Sequence, residues 1–354
     1  MSMIKTPDID QIIAQISPAF PARTLTAPFN YLQSLPSNND KVRSKFLTGF
    51  NERFFHISDG GVIGEITTIV ETFHAASLLI DDIEDDSTLR RGKPCAHLKY
   101  GIPSTLNSGN LMYFVAIQRA FSSLPEYYKK KTSDEFALAA MRNQLSDIFH
   151  DEMVNLHVGQ GLDIYWRDNL QEIMKTGLPT IEEYLQVAMH KTGGLFRLAV
   201  RTLSLFAGGE FEPGTESSRE LIKLANLLGV IYQIRDDYMN LVSERYAEMK
   251  GFSGEDLIEG KLSLPILYTL LQTEKDSMLH RLYAELTTPN ERRANMERLD
   301  QVRLFISRSG ALEFSYSLLQ EYVEKATIVI ESSDEKSFKT LSHLLKKLAQ
   351  VNKP

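Results

Sequence analysis

Cysteine is the scarcest chemistry in this chain. Cys95 stands alone, so no intrachain disulfide can form, and a reducing compartment is expected. Glycine and proline are modest, at 20 and 13 of 354 residues, which excludes collagen-like and low-complexity classes. Basic residues fall short of acidic ones, 39 against 46, and a net charge of -7 argues against nucleic acid as the main partner. No uninterrupted apolar stretch approaches the roughly 20 residues of a membrane span, so no integral membrane segment is expected. The start, MSMIKTPDIDQ, has neither a signal-peptide apolar core nor an Arg-rich presequence, and the expected location is cytoplasmic.

What is present is helical patterning. The composition, 43% hydrophobic and 24% charged, can fill a substantial core. Apolar residues recur at three- and four-residue spacing over 62–83, 104–121, 136–160, 181–206, 218–242 and 264–286. Breakers such as HISDGG, RRGKP, YGIPS and KTGLPT separate these segments. Thr132 with Glu135, Thr180 with Glu183, and Thr288 with Glu291 have capping-box spacing, and Pro289 suits a first helical position. There are few strand signals, no repeat and no dividing linker. One all-α domain over 1–354 is expected. Residues 1–22 form either a flexible segment or one packed on a partner subunit.

The chemistry starts at SLLIDDIEDDSTLRRG, residues 77–92. Asp81, Asp82, Glu84, Asp85 and Asp86 crowd directly behind Leu and Ile, where like charges repel unless a cation sits among them. Asp81 and Asp85, at i and i+4, share a helix face and can hold a cation. All-oxygen ligands suit Mg²⁺, which keeps waters and takes remaining ligands from a phosphate. A solvated helix face is the plain alternative. The second acid pair, Asp236 and Asp237, lies in VIYQIRDDYMNL with apolar residues on both sides. Burying carboxylates without partners is costly, so two such pairs facing one another would build a multi-metal diphosphate site. Interhelical salt bridges are the alternative. Arg90 and Arg91 supply planar forks for phosphate, and Lys191, Lys250 and Lys261 stand beside small residues that let a ligand approach. Lys41 and Arg43 form a further basic group.

Together these stretches resemble the trans-isoprenyl diphosphate synthases, closest to the fungal-type geranylgeranyl diphosphate synthases. LLIDDIEDDSTLRRG is similar to the first aspartate-rich motif, GQGLDIYWRD to the Gly-Gln-x-x-Asp segment, HKTGGLF to the Lys-Thr segment, and QIRDDYMNL with EGKLS to the second aspartate-rich region. The resemblance covers about residues 25–330. It implies an all-helical fold around a deep central cavity, a homodimer or higher homo-oligomer, three Mg²⁺ ions, and prenyl transfer between small-molecule diphosphates. By that resemblance Asp81, Asp82, Asp85, Asp236 and Asp237 bind metal, and Arg90, Lys191, Lys250 and Lys261 hold the allylic diphosphate. Thr192 and Gln233 shield the allylic cation, while Lys41, Arg43, His74 and Arg91 hold isopentenyl diphosphate. Two departures stand out. Lys41 is only two residues before Arg43, where the family has wider spacing, and Asn240 replaces a third Asp.

The resemblance also bears on product length. Ala76 and Ser77, one turn beneath Asp81, are small where fifteen-carbon relatives carry bulky aromatics, so a deeper cavity is expected. Tyr113, Phe114 and His157 match its floor, although aromatics on an apolar helix are ordinarily core. The expected reaction makes geranylgeranyl diphosphate from farnesyl diphosphate. Farnesyl diphosphate synthesis and a class I terpene cyclase, whose second motif Asp236, Asn240 and Glu244 would fit, are the alternatives.

Overall fold

The computed structural model describes residues 23–36, 42–243, 252–331 and 339–354. Helices dominate them. α1 (Ala27–Ser34), α2 (Val42–Phe50, continued by a π-helical turn over Asn51–Phe55) and α3 (Gly60–Glu84) come first. A two-residue hairpin follows, β1 (Leu89–Arg90) with β2 (Lys93–Pro94). Then come α4 (Ala96–Tyr100), α5 (Ile102–Lys129), α6 (Glu135–Asp168), α7 (Leu170–Thr176), α8 (Ile181–Lys191), α9 (Gly193–Ser204) and α10 (Glu216–Val242). The C-terminal part contains α11 (Glu255–Glu259), α12 (Leu264–Gln272), α13 (Met278–Glu285), α14 (Pro289–Arg293), α15 (Met296–Arg308), α16 (Ala311–Glu331) and α17 (Lys339–Ala349).

The core is where the long helices bury their apolar stripes on one another. α3 and α5 pack along their lengths, α9 lies against α10, α3 and α6, and α10 is backed by α16. Phe46, Phe50, Ile66, Phe73, Leu145, Phe149, Ile231 and Leu267 belong to one buried cluster spanning these elements. Full burial of each such side chain contributes about 1.5–3 kcal/mol. A smaller cluster of Phe29, Leu32, Ala76, Leu79 and Met112 forms where α1 covers α3 and α5.

α3 carries the first acid cluster, and local chemistry sets both its ends. Asp59 caps its start, accepting from the Gly61 amide at 2.8 Å. It stops at Asp85, after which Asp86 takes a left-handed φ of 51°. Gly60–Glu84 is the one described helix long and apolar enough to cross a bilayer by length and composition. Its apolar residues, Val62, Ile66, Ile69, Val70 and Phe73, are instead buried in the protein core.

Some sequence expectations need correction. The segment 181–206 is not one helix: it breaks at Thr192 into α8 and α9. There Gly159 lies so close to the Lys191 amide, and Gly229 so close to Gly193, that a Cβ on either would stand 2.4 and 2.5 Å from backbone atoms. The glycines let α6 and α10 clamp the break. The segment 264–286 likewise divides into α12 and α13. The Thr180 and Thr288 capping boxes form, but Thr132 does not cap α6; Asp134 does, accepting from the Phe136 amide at 2.9 Å. Residues 1–22, Lys41, Glu244 and Lys250 lie outside the described residues.

Candidate active site

A cavity of about 180 Å³ opens between α3, α5, α6, α8 and α10. Its wall includes Arg43, His74, Ser77, Asp81, Tyr113, His157, Gln160, Lys191, Thr192 and Gln233, most of which the sequence singled out. The first acid cluster stands at its rim, surrounded by cations and donors. Arg90 reaches back from the hairpin, giving Nε to Asp82 Oδ1 at 2.7 Å and an Nη to Asp81 Oδ2 at 3.3 Å. Gln160 on α6 donates to Asp81 Oδ1 at 3.2 Å and to Glu84 at 2.7 Å. Lys191 lies 3.7 Å from Asp81 and is hydrogen-bonded to Asp163 at 2.7 Å. Burial works against the charge on Lys191, yet Asp163 and Asp81 override it and hold its ammonium well above the usual range.

The hairpin explains why two adjacent arginines serve different places. Arg91 and Gly92 both have positive φ, 56° and 72°, as a two-residue type I′ turn requires, and only Gly92 does so without cost. Strain kept at a non-glycine residue commonly marks a functional position. Arg91 lies within electrostatic reach of Arg90 and Arg43, and burial together with Arg90 lowers its pKa. Arg43, Arg90 and Arg91 all lie within electrostatic reach of His74. Burial first, and then these three cations, hold the His74 imidazole well below its usual range, so it is neutral at neutral pH.

The second pair is built differently. Asp237 is only 1% exposed, and its Oδ2 accepts from the Tyr184 hydroxyl at 2.6 Å and from the Leu264 amide at 2.9 Å. Its Oδ1 accepts from Gln233 at 2.7 Å, with Lys261 at 4.0 Å. Thr192 donates to Gln233 Oε1 at 2.5 Å, linking the helix break to this network. Asp236, on the next position around α10, is half-buried. Asn240 points away toward α11, donating to Asp256 Oδ1 at 3.0 Å. It is therefore committed to a structural contact rather than to the cavity.

The donor set suits a hard divalent cation. Asp82 Oδ2 is buried without a hydrogen-bond partner, beside a line of further carboxylates. Burial and the Asp81 charge push Asp85 up to about 6. Among the described residues no three acidic, histidine or cysteine side chains form a ready-made metal cage.

Of the expected floor, Tyr113 and His157 line the cavity with ring centroids 5.7 Å apart, and Ser77 lines it too. Ala76 does not: it is fully buried, with its backbone carbonyl close against Gly109 of α5. Phe114 does not either. One step along a helix turns a side chain by about 100°, and Phe114 points outward, 70% exposed. Sequence reasoning left Gln160, Asp163, Arg167 and Tyr184 without roles. The signal was available for the first three, polar residues spaced three and four apart on one helix; for Tyr184 there was none.

With Asp81, Glu84, Lys191, Arg43 and His74 lining one cavity, and Arg90 bonded to the acid cluster at its rim, the comparison with known proteins is decisive. The polyprenyl synthetase family model matches residues 23–299. The chain belongs to that family. Geranylgeranyl pyrophosphate synthase from Macrophomina phaseolina is 39% identical over 314 residues, covering 89% of this chain and 84% of the relative. The enzyme of the same description from Eremothecium gossypii is also 39% identical, covering 86% and 87%. One from Hericium erinaceus is 39% identical over 274 residues, covering 75% and 76%. This polyprenyl synthetase is thus a prenyl-transferring enzyme of a generally divalent-metal-dependent family.

Proposed function

We propose that the enzyme condenses isopentenyl diphosphate with an allylic diphosphate, farnesyl diphosphate foremost, to give geranylgeranyl diphosphate. The observation that carries this reading is the cavity itself. Asp81, Glu84 and Lys191 line it together with Arg43 and a neutral His74, and its wall includes the small Ser77 as well as Tyr113 and His157. Arg90 and Lys191 beside the acid cluster, and Arg43 and Arg91 within electrostatic reach of His74, provide cations for two diphosphates, which a cyclase acting on one diphosphate does not need.

Asp81, Asp82, Asp85 and Asp236 would hold Mg²⁺, with three ions expected from the family resemblance. The ions would supply charge neutralisation to a departing diphosphate. Arg90, Lys191 and Lys261 would orient the allylic diphosphate and meet the negative charge growing on its bridging oxygen as the C–O bond breaks. Thr192 and Gln233 would face the allylic cation with neutral oxygen dipoles. Gln233 is fixed for this by its bonds to Thr192 and Asp237. Arg43, Arg91 and His74 would hold isopentenyl diphosphate so that its double bond meets the cation; the released diphosphate then takes the proton. Asp237 supports the site from behind rather than facing substrate. Tyr113 and His157 would stop the growing chain.

The reading further takes 1–354 as one domain, located in the cytoplasm and assembled as a homodimer. An apolar stripe on α6 supports the dimer: Val154, Val158, Leu162 and Tyr165 are 39–57% exposed at helical spacing, and α5 beside them presents Phe114.

The test is a product assay with Mg²⁺, labelled isopentenyl diphosphate and each allylic diphosphate in turn. A twenty-carbon product is expected, lengthened by Tyr113→Ala and unchanged in length by Phe114→Ala. A fifteen-carbon product would place the floor higher. A cyclic hydrocarbon formed without isopentenyl diphosphate would overturn the reading.

A further inference from the structure

The face that α6 turns toward the end of α3 carries three polar side chains, Gln160, Asp163 and Arg167. Gln160 bonds Asp81 and Glu84, Asp163 bonds Lys191, and Arg167 gives an Nη to Asp85 Oδ1 at 2.6 Å. Arg167 is anchored on its other edge, where Nε donates to Asp168 Oδ1 at 2.9 Å. The paired side chains of Arg167 and Asp85 are 14% and 16% exposed, so water screens them little.

Asp85 needs such a partner more than its neighbours do. It is the C-cap of α3, at the negative end of the helix dipole, and it shares that end with Asp81, Asp82, Glu84 and Asp86. The chain reverses immediately afterwards through the left-handed Asp86. Arg90 serves Asp81 and Asp82, and Lys191 serves Asp81. Among the described residues, the side-chain hydrogen bond that reaches Asp85 comes from Arg167. That bond takes one carboxylate oxygen and leaves Oδ2 for a cation. Groups that hydrogen-bond a metal-binding carboxylate fix its direction, and losing them ordinarily costs 10–100-fold in metal affinity.

We propose that Arg167 is a positioning residue that clamps Asp85 from α6 and so sets the divalent-cation affinity of the first acid cluster. The inference rests on the reading of Asp81, Asp82 and Asp85 as metal ligands. It is tested with full-length protein, Mn²⁺ and inorganic pyrophosphate, free Mn²⁺ being followed by its electron paramagnetic resonance signal. Arg167→Gln should weaken Mn²⁺ binding about 10-fold or more. Arg167→Lys keeps the charge but lacks the fork that reaches Asp85 and Asp168 together, and should lose less. In an Asp85→Asn background, Arg167→Gln should cost nothing further. Unchanged or tighter Mn²⁺ binding in Arg167→Gln would overturn the proposal. So would equal losses with and without the Asp85 carboxylate, which would mark a general structural role. Should Arg167→Gln fail to fold, the same comparison with Arg167→Lys decides. A parent enzyme that takes up no Mn²⁺ with pyrophosphate would refute the metal reading itself, a result distinct from a parent that binds while the variants match it.

Discussion

The two acid clusters use the same residue type under opposite physics. Asp81, Asp82 and Asp85 sit at the exit of a helix, where the dipole and their own repulsion disfavour them, and they are tied down by cations from three directions: Arg90, Lys191 and Arg167. Asp237 sits inside α10 and is held chiefly by Tyr184, Gln233 and the Leu264 amide, with Lys261 at the edge. Charge neutralises the first region; hydrogen-bond geometry fixes the second. A cation-paired carboxylate can exchange its partner for a metal ion, and the released cation can turn to a phosphate. One satisfied by buried donors is part of the scaffold.

Variants should separate the two. The largest effect is expected for Asp81→Asn at the half-buried, exchangeable end: turnover falling about 10²- to 10³-fold while the melting temperature changes little. Comparable turnover would remove the distinction. Asp237→Asn should do the reverse, lowering stability by about 3 kcal/mol in urea unfolding, because donors converge there and Lys261 loses its counter-charge. Full stability would mean that its network is not what holds α10. The smallest effect concerns pH. Because the folded state holds His74 below its unfolded pKa of about 6.5, the unfolded chain takes up that proton first, and stability falls as pH drops below that value. His74→Gln should flatten that part of the stability curve by at most about 1.4 kcal/mol per pH unit. An unaltered slope would show that burial and the nearby arginines do not hold His74 below its usual range.

Much of the site was legible because the signals were local. Acids at i and i+4, two arginines one to two turns later and a Lys-Thr pair before glycines can all be read along a single segment. The failures were of two kinds. Phe114 was read by its position in a motif, but helix rotation sends it outward. Thr192 was read as the interior of one long helix, because its break depends on Gly159 and Gly229, which come from α6 and α10. Arg167 was in plain view within GQGLDIYWRD, yet no local rule couples it to Asp85.

The sequence by itself therefore determined the helical class and the positions of both acid pairs and of the basic residues between and beside them, since each follows from short-range spacing and charge. Tertiary structure decided the rest. Which carboxylate faces the cavity, which is locked into the scaffold, and which cation serves which acid all depend on helix contacts between distant segments. A buried charge is stable only beside a partner, and that partner's place in the chain is set by packing, not by spacing.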